Sequence, residues 1–498
     1  MINWQNILKL FSYDRNNPIL FNSGLFLLLF TIFLLIYTFT FNRKTLRTIY
    51  VICFSLYFYY KTSGEYAIIL ILSILINFFL ALAITGAGKK YQKNLLFIFS
   101  ILVNVSVLGY FKYANFILEN IGYITKGEIG KLEIFLPIGI SFYTFQTLSY
   151  LIDVKRDTIK PTKNILDYSF YISFFPTIVA GPIVRTKDLL SQIAENVSVN
   201  KEEISSGLYL ITRGLIKKAI FATYISQYCD LIYGMPGNYS GFENLIAMYG
   251  YTMQIYLDFS GYSDMAIGIA KIMGFKIKDN FNSPYSALNI IDFWKRWHIS
   301  LSTWLRDYLF LPISYSYLRR TKNTKISLVN SYILASLITM FIAGLWHGAS
   351  WKFIFWGTAH GAGLIINKLY QLTIGKKRRM KKYFPNWLSW FITFHFVAFL
   401  WIFFRAGTFD EALVSITTIF GQFDPAYILP FIQARTIFSI LLVTGMIFTF
   451  IPFQYKENIK LFFFRAPLIV KAVVFILIIQ LIIQFQSESV QPFIYFQF

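Results

Sequence analysis

Residues 16–42 read NNPILFNSGLFLLLFTIFLLIYTFTFN, a run without one charged side chain. A helix of about 20 apolar residues spans a hydrocarbon core roughly 30 Å thick, so this run suffices to cross it. Residues 66–88, 326–351, 383–404 and 436–455 are equally free of charge, and shorter uncharged runs occupy 94–111, 134–152, 168–184 and 472–487. About ten to twelve hydrophobic segments are expected, some of them re-entrant, in an all-α polytopic membrane protein. The first segment reads as an anchor, because no short apolar core with a small-residue cleavage site precedes it.

Composition agrees. Of 498 residues, 56% are hydrophobic, 20% aromatic and 14% charged, with a mean hydropathy of +0.54. A soluble domain carries about 25% charged residues, so this surface is not built for water. A cytosolic or secreted globular enzyme is excluded, and so is a polar nucleic-acid binder. The formal net charge of +22 would suggest DNA in a soluble protein; in a membrane protein it reflects cytoplasmic loops rich in Lys and Arg. Two cysteines, Cys53 and Cys229, exclude a disulfide framework and a thiolate metal cage; both read as small buried hydrophobes or lipidation sites. No repeat or soluble domain is apparent, so residues 1–498 read as one membrane domain, with a catalytic core over about 134–372 and a C-terminal helix and tail over 466–498.

Basic residues orient the chain. Arg43, Lys44 and Arg47 follow the first segment, Lys89, Lys90 and Lys93 the third, while the interval between carries only Lys61 and Glu65. Alternation then puts the N-terminus outside. Lys376, Lys377, Arg378, Arg379, Lys381 and Lys382 form the strongest cytoplasmic mark. Three further crossings from there leave the C-terminus outside as well.

The pattern breaks at 251–308, where charges lie in apolar surroundings: Asp258 and Asp264, then Asp292, Lys295, Arg296, His298, Arg306 and Asp307, interleaved with Trp294, Trp297 and Trp304. Ionisable groups at membrane depth are costly unless they line a cavity or pair. If 291–308 is one helix, Trp294, Trp297, His298, Leu301, Leu305 and Tyr308 share a face. That face is either an interfacial aromatic belt or a line of polar groups around a pocket. Asp258 and Asp264 either line a channel or bond to Ser260 or Ser263. A second centre is FIAGLWHGASW, in which Gly344 and Gly348 bracket His347 and permit close approach of backbone or ligand. The remaining histidines, His360 and His395, read as structural. No Walker A loop, HExxH, GxSxG or dinucleotide glycine fingerprint is present, so ATP use, zinc proteolysis and serine hydrolysis lack support, and no metal site is expected.

Five stretches, in order, carry a resemblance: GISFYTFQTLSYLIDVKR (139–156), FFPTIVAGPIVR (174–185), DFSGYSDMAIGIAKIMGFKIKDNFNSPY (258–285), FWKRWHISLSTWLRDYLFLP (293–312) and LWHGASWKFIFWGTAHG (345–361). The sequence resembles the membrane-bound O-acyltransferases, in particular the bacterial alginate and peptidoglycan O-acetyltransferases. PISYSYLRRTKNTK, from Pro312, departs from the glycine-rich turn of many relatives and leaves the acceptor open. The resemblance implies a ring of helices around a thinned centre, where a cytoplasmic funnel meets an outward cavity. It implies His347 as the catalytic histidine and His298 as its partner, one a base and the other an orienting or oxyanion-holding group, with the two roles exchangeable.

Acetyl-CoA is the expected donor substrate, with no bound cofactor. Lys295, Arg296, Trp297, Ser300, Trp304, Arg306, Asp258 and Trp346 are the donor-path or channel candidates; for the basic ones, pairing with lipid phosphate is the alternative. The resemblance further implies a multi-pass protein of the bacterial inner membrane, an exported or cell-wall polysaccharide acceptor, and a partner transferase of the SGNH esterase fold outside. The chain ends PFIYFQF, in which Phe493, Tyr495 and Phe498 form an F-x-Y-x-x-F pattern like that on a small partner of the related D-alanyl transferases. Tyr495 is therefore a candidate acyl relay, with an aromatic interface anchor as the plainer alternative. The competing functions are a transporter or flippase for a lipid-linked saccharide or acyl donor, against which the lack of inverted repeats speaks, and D-alanyl transfer.

Overall fold

The computed structural model describes residues 10–15, 18–127, 129–322, 324–373, 385–451 and 453–485. These are mainly helical, with no strand among the described residues. The basic cluster 376–382 and the tail bearing Phe493, Tyr495 and Phe498 lie outside them. The chain divides into two compact units, one of residues 1–211 and 262–278, the other of 212–261 and 279–498.

In the first unit, helix Gly24–Thr40 begins where the Ser23 hydroxyl accepts the Phe26 N–H at 3.2 Å. Phe26, Phe30, Phe33 and Tyr37 recur at spacings of three and four and are buried, whereas Phe39 on the other face is 84% exposed. Phe175 presses edge-on against Phe33 with ring centres 5.5 Å apart. In lipid, apolar contact alone gives helices little reason to associate, so polar pairs matter more. Helices Ala67–Gly86 and Lys90–Thr125 carry such a pair. The Asn77 amide donates to Asn104 Oδ1 at 3.2 Å, and Asn104 donates back to Asn77 Oδ1 at 2.6 Å.

In the second unit, helix Lys325–His347 starts with a capping box between Thr324 and Ser327 and packs against helix Trp351–Thr373 as a tight hairpin. Gly344 and Gly357 permit this. A Cβ on Gly344 would stand 2.3 Å from the Phe353 carbonyl oxygen, and one on Gly357 would stand 2.2 Å from that of Met340. The close approach expected at Gly344 is thus one of backbone to backbone. Helix Asn386–Arg405 follows, tied at its end by an ion pair from Arg405 to Asp230, while the Lys352 ammonium donates to the Ala406 carbonyl.

Among the described residues, four helical stretches are long and apolar enough to cross a membrane: Lys44–Gly86, Lys90–Thr125, Lys325–His347 and Asn386–Arg405. Two bent pairs, Phe409–Gly421 with Pro425–Ala434 and Thr436–Phe450 with Gln454–Arg465, bring the number to six if each is one span. Other hydrophobic runs form shorter pieces. Residues 168–184, for example, give Ile165–Ser173 and the single turn Phe175–Ile178, broken at Phe174 ahead of Pro176. The chain is an all-α, multi-pass membrane protein. One expectation needs correcting: Cys229 is buried, but Cys53 is exposed, because it points away from the packed face of its helix that carries Val51, Ser55 and Phe58.

The hairpin supplies a test. Gly344→Ala should lower the thermal unfolding midpoint in detergent, by an overpacking cost of about 1–3 kcal/mol. Gly109→Ala, whose new methyl meets nothing within 4 Å, should leave the midpoint unchanged or raise it. Equal behaviour of the two variants would refute the backbone contact.

Candidate functional site

The stretch 290–305 is two seven-residue helices, Ile290–Arg296 and Ile299–Leu305, rather than the single helix its spacing predicts. The break falls at His298, which adopts the left-handed conformation with φ 42° and ψ 57°. A non-glycine residue rarely holds that conformation without compensation. Here Asn280 compensates. Its carbonyl accepts the Ile299 N–H at 2.9 Å, and its side-chain Oδ1 accepts the Ser300 N–H at 3.1 Å and the Ser300 hydroxyl at 2.9 Å. Arg296 completes the splice by accepting the Asn282 N–H at 3.0 Å. Trp294, Trp297, His298, Leu301, Leu305 and Tyr308 are all buried, as a common face predicts, but the turn at 298 redirects those beyond it.

The splice fixes the protonation of the ring. His298 Nδ1 lies 3.2 Å from Asn280 Oδ1. A backbone N–H already donates to that atom, so it is the oxygen, and Nδ1 must carry the proton. Nε2 of the neutral ring then holds the lone pair. His298 is fully buried in the break between helices too short to span a bilayer, and burial pushes its pKa down to about 3. Neutral His298 therefore offers an acceptor nitrogen. Phe259 meets the ring edge-on at 4.6 Å between centres.

His347 ends its helix 3% exposed. Its ring packs edge-on against Trp346, Trp356 and Phe404, with centres 5.0, 4.9 and 5.1 Å away. Trp346 also packs against His298 at 6.2 Å. One indole thus touches both imidazoles, which belong to segments 49 residues apart. Gly348, next along, could not carry a side chain, since a Cβ there would fall 2.2 Å from the Phe353 ring.

The other predicted residues divide. Trp297 is buried between Phe293 and Trp401, at 5.6 and 5.1 Å, and Ser300 belongs to the Asn280 splice. Trp304 is buried against Tyr308. Lys295 is exposed. Arg296 pairs with Asp292 at 3.0 Å, and Arg306 with Asp307 at 2.8 Å. Asp258 pairs at 2.6 Å with Lys218, both 3% exposed. The histidine expected to be structural at 395 is so: Nδ1 bonds the Phe391 carbonyl at 2.8 Å, and Tyr249 meets Nε2 at 2.9 Å.

Asn280 and Lys218 were missed from sequence. Asn280 lies inside one of the resembling stretches, but an Asn after Asp279 reads as a loop residue. Lys218 sits in LIKKAIF, a basic pair in apolar surroundings, which is the one available mark. It lies in the π-helical turn Ile216–Ala222, whose extra residue per turn rotates it away from α-helical register.

Comparison with known sequences matches residues 19–406 to the membrane-bound O-acyltransferase family. The peptidoglycan O-acetyltransferase of Helicobacter pylori is 36% identical over 74% of this chain and 72% of its own length. A probable alginate O-acetylase AlgI of Pseudomonas putida is 32% identical over 96% of this chain and the whole of its own. The teichoic acid D-alanyltransferase of Bacillus subtilis is 33% identical over 53% of this chain and 67% of its own.

The Lys218–Asp258 pair makes a stability prediction. Removing one partner leaves a buried charge and should cost about 3–5 kcal/mol, whereas replacing both with apolar residues is often neutral. Asp258→Leu alone should therefore abolish stable folding or sharply lower the thermal midpoint, and Lys218→Met with Asp258→Leu should restore most of it. A double variant no better than the single would show that the pair is not the dominant interaction of either residue.

Proposed function

The chain belongs to the membrane-bound O-acyltransferase family and is an O-acyltransferase, and from that premise we propose that it transfers an acetyl group from a cytoplasmic thioester to a hydroxyl outside. The observation that carries the reading is the juxtaposition of His347 and His298 on the Trp346 indole, deep in an aromatic interior. His347 takes the hydroxyl proton as the oxygen attacks the thioester carbonyl carbon. The π electrons move to the carbonyl oxygen, the tetrahedral intermediate collapses, and the C–S bond breaks. The departing thiolate takes the proton back from His347. His298, with its lone pair at Nε2, accepts and orients a hydroxyl and does not hold the oxyanion.

Acetyl-CoA is the proposed donor, favoured by the basic character of the chain. A cell-envelope or exported polysaccharide is the proposed final acceptor, in keeping with the names of the similar enzymes. Delivery would pass to an SGNH-type transferase outside the inner membrane. Both termini would face outside, with Tyr495 carrying the acetyl group transiently as a phenyl ester between Phe493 and Phe498. Similarity to a D-alanyltransferase keeps an aminoacyl donor within the same chemistry.

Purified protein in liposomes decides between these. His347→Ala should lose at least ~100-fold in acetyl transfer, a magnitude ordinary for removal of a general base, with its helical content retained. Undiminished transfer, or passage of intact donor across the bilayer without turnover, would overturn the reading. A D-alanyl thioester consumed in preference to acetyl-CoA would replace the acetyl assignment. For the tail, intact-mass analysis after donor exposure should show one acetyl adduct that Tyr495→Phe removes.

The Asn280 splice adds a pH test. Asn280→Ala should lower kcat about 10–100-fold, since the ring loses its fixed tautomer. Asn280→Asp keeps an acceptor but places a carboxylate on Nδ1–H, which raises the His298 pKa from about 3. The neutral ring is then lost at higher pH, so the acid limb of the rate profile should move upward. An unmoved limb with normal kcat would remove His298 from the mechanism.

A further inference from the structure

The proposed chemistry leaves one requirement unmet. As the hydroxyl adds to the thioester, negative charge develops on the acyl oxygen, which needs N–H or O–H donors. His298 does not supply one in its neutral form, because its proton is committed to Asn280.

Donors lie in a ring cluster that meets His347 through Trp356. Trp294, Trp356 and His360 form a triangle of touching rings, with centres 5.2 Å apart for Trp294–His360, 4.8 Å for Trp356–His360 and 5.9 Å for Trp294–Trp356. They are 8%, 0% and 0% exposed. Both indole nitrogens and both imidazole nitrogens are buried without a hydrogen-bond partner among the described residues. Four such atoms on three adjoining side chains are unusual, because buried polar groups are almost always bonded. An indole only donates, and a neutral imidazole donates once and accepts once. The cluster therefore presents three N–H donors against a single acceptor, which suits an oxygen with lone pairs to offer. Trp356 joins the triangle to the site through its edge-on contact with His347 at 4.9 Å.

We propose that Trp294, Trp356 and His360 form an oxygen-binding subsite that takes the carbonyl oxygen of the acyl group while His347 acts on the hydroxyl. The inference rests on the acyl-transfer reading above. The subsite exchanges no proton: the two indole N–H groups and one imidazole N–H hydrogen-bond to the oxygen as it gains the electron pair from the C=O bond, and release it when the carbonyl re-forms and the C–S bond breaks. Histidine at 360 thus acts as a donor rather than as packing.

The test uses the full-length protein in nanodiscs with acetyl-CoA and a soluble hydroxyl acceptor. Trp356→Phe and Trp294→Phe each remove one N–H and keep an aromatic ring. Each should lower kcat and kcat/KM equally, about 10–1000-fold, as loss of an oxyanion donor does. The acid limb of the pH profile should stay where it is. The thermal midpoint should fall by no more than the lost indole volume accounts for, because no hydrogen bond is broken. His360→Gln, which keeps a donor, should retain more activity than His360→Phe. Undiminished kcat in both tryptophan variants would overturn the proposal and leave the cluster a packing feature or a water site. A shifted acid limb would overturn it too, by showing that the tryptophan acts through a titrating histidine of the site rather than on the acyl oxygen. If one variant fails to fold, the other carries the test. His347→Ala separates the two ideas: full activity there defeats the acyl-transfer reading, whereas its loss together with normal tryptophan variants defeats only the subsite.

Discussion

An imidazole surrounded by aromatic rings is chemically ambiguous until something decides which nitrogen bears the proton. In this protein the decision is made by one amide. Asn280 Oδ1 faces His298 Nδ1 while accepting the Ser300 N–H of the helix that follows, and the Asn280 backbone carbonyl accepts the Ile299 N–H. The same contact supports the left-handed backbone at 298, and without it the two short helices would have no reason to part at that residue. Tautomer, backbone break and placement of the ring beside Trp346 are one interaction seen from three sides. Burial alone would keep His298 neutral; only a fixed acceptor makes the neutral ring directional.

The second histidine is positioned by different means. His347 stands at the end of a long apolar helix whose last turn is locked to its neighbour through Gly344 and Gly357. Three aromatic rings then wall it in. One histidine is thus aimed by polar bonds across a break, the other by backbone contact in a rigid hairpin. Both arrangements hold the two imidazoles on well-supported elements, which suits chemistry that tolerates little misplacement.

Much of this was legible in the sequence, and the limits follow from what periodicity can encode. The uncharged runs announce helices because apolar length is all that lipid requires, and the spans near 44–86, 90–125, 325–347 and 386–405 appear where such runs lie. His298 and His347 stand out as ionisable groups at membrane depth. The break at 298 leaves no such trace. Its spacing fits one continuous helix, and the residue responsible, Asn280, is 18 positions away and acts through the fold. Lys218 is hidden for a related reason. A π-helical turn changes which side chains share a face, so a pattern read at 3.6 residues per turn points Lys218 the wrong way.

Three departures from helical regularity lie in the second unit, around the proposed centre. His298 itself takes a left-handed conformation, the π-helical turn Arg306–Phe310 begins just past the second short helix, and the π-helical turn Ile216–Ala222 delivers Lys218 to Asp258. Regular helices satisfy every backbone group internally and so present only side chains, in fixed directions. Placing polar side chains against one another at membrane depth requires leaving that regularity, and each departure needs local compensation: Asn280 at the break, and the Lys218–Asp258 charges neutralising one another. These irregular elements are therefore where the sequence trades helical continuity for position.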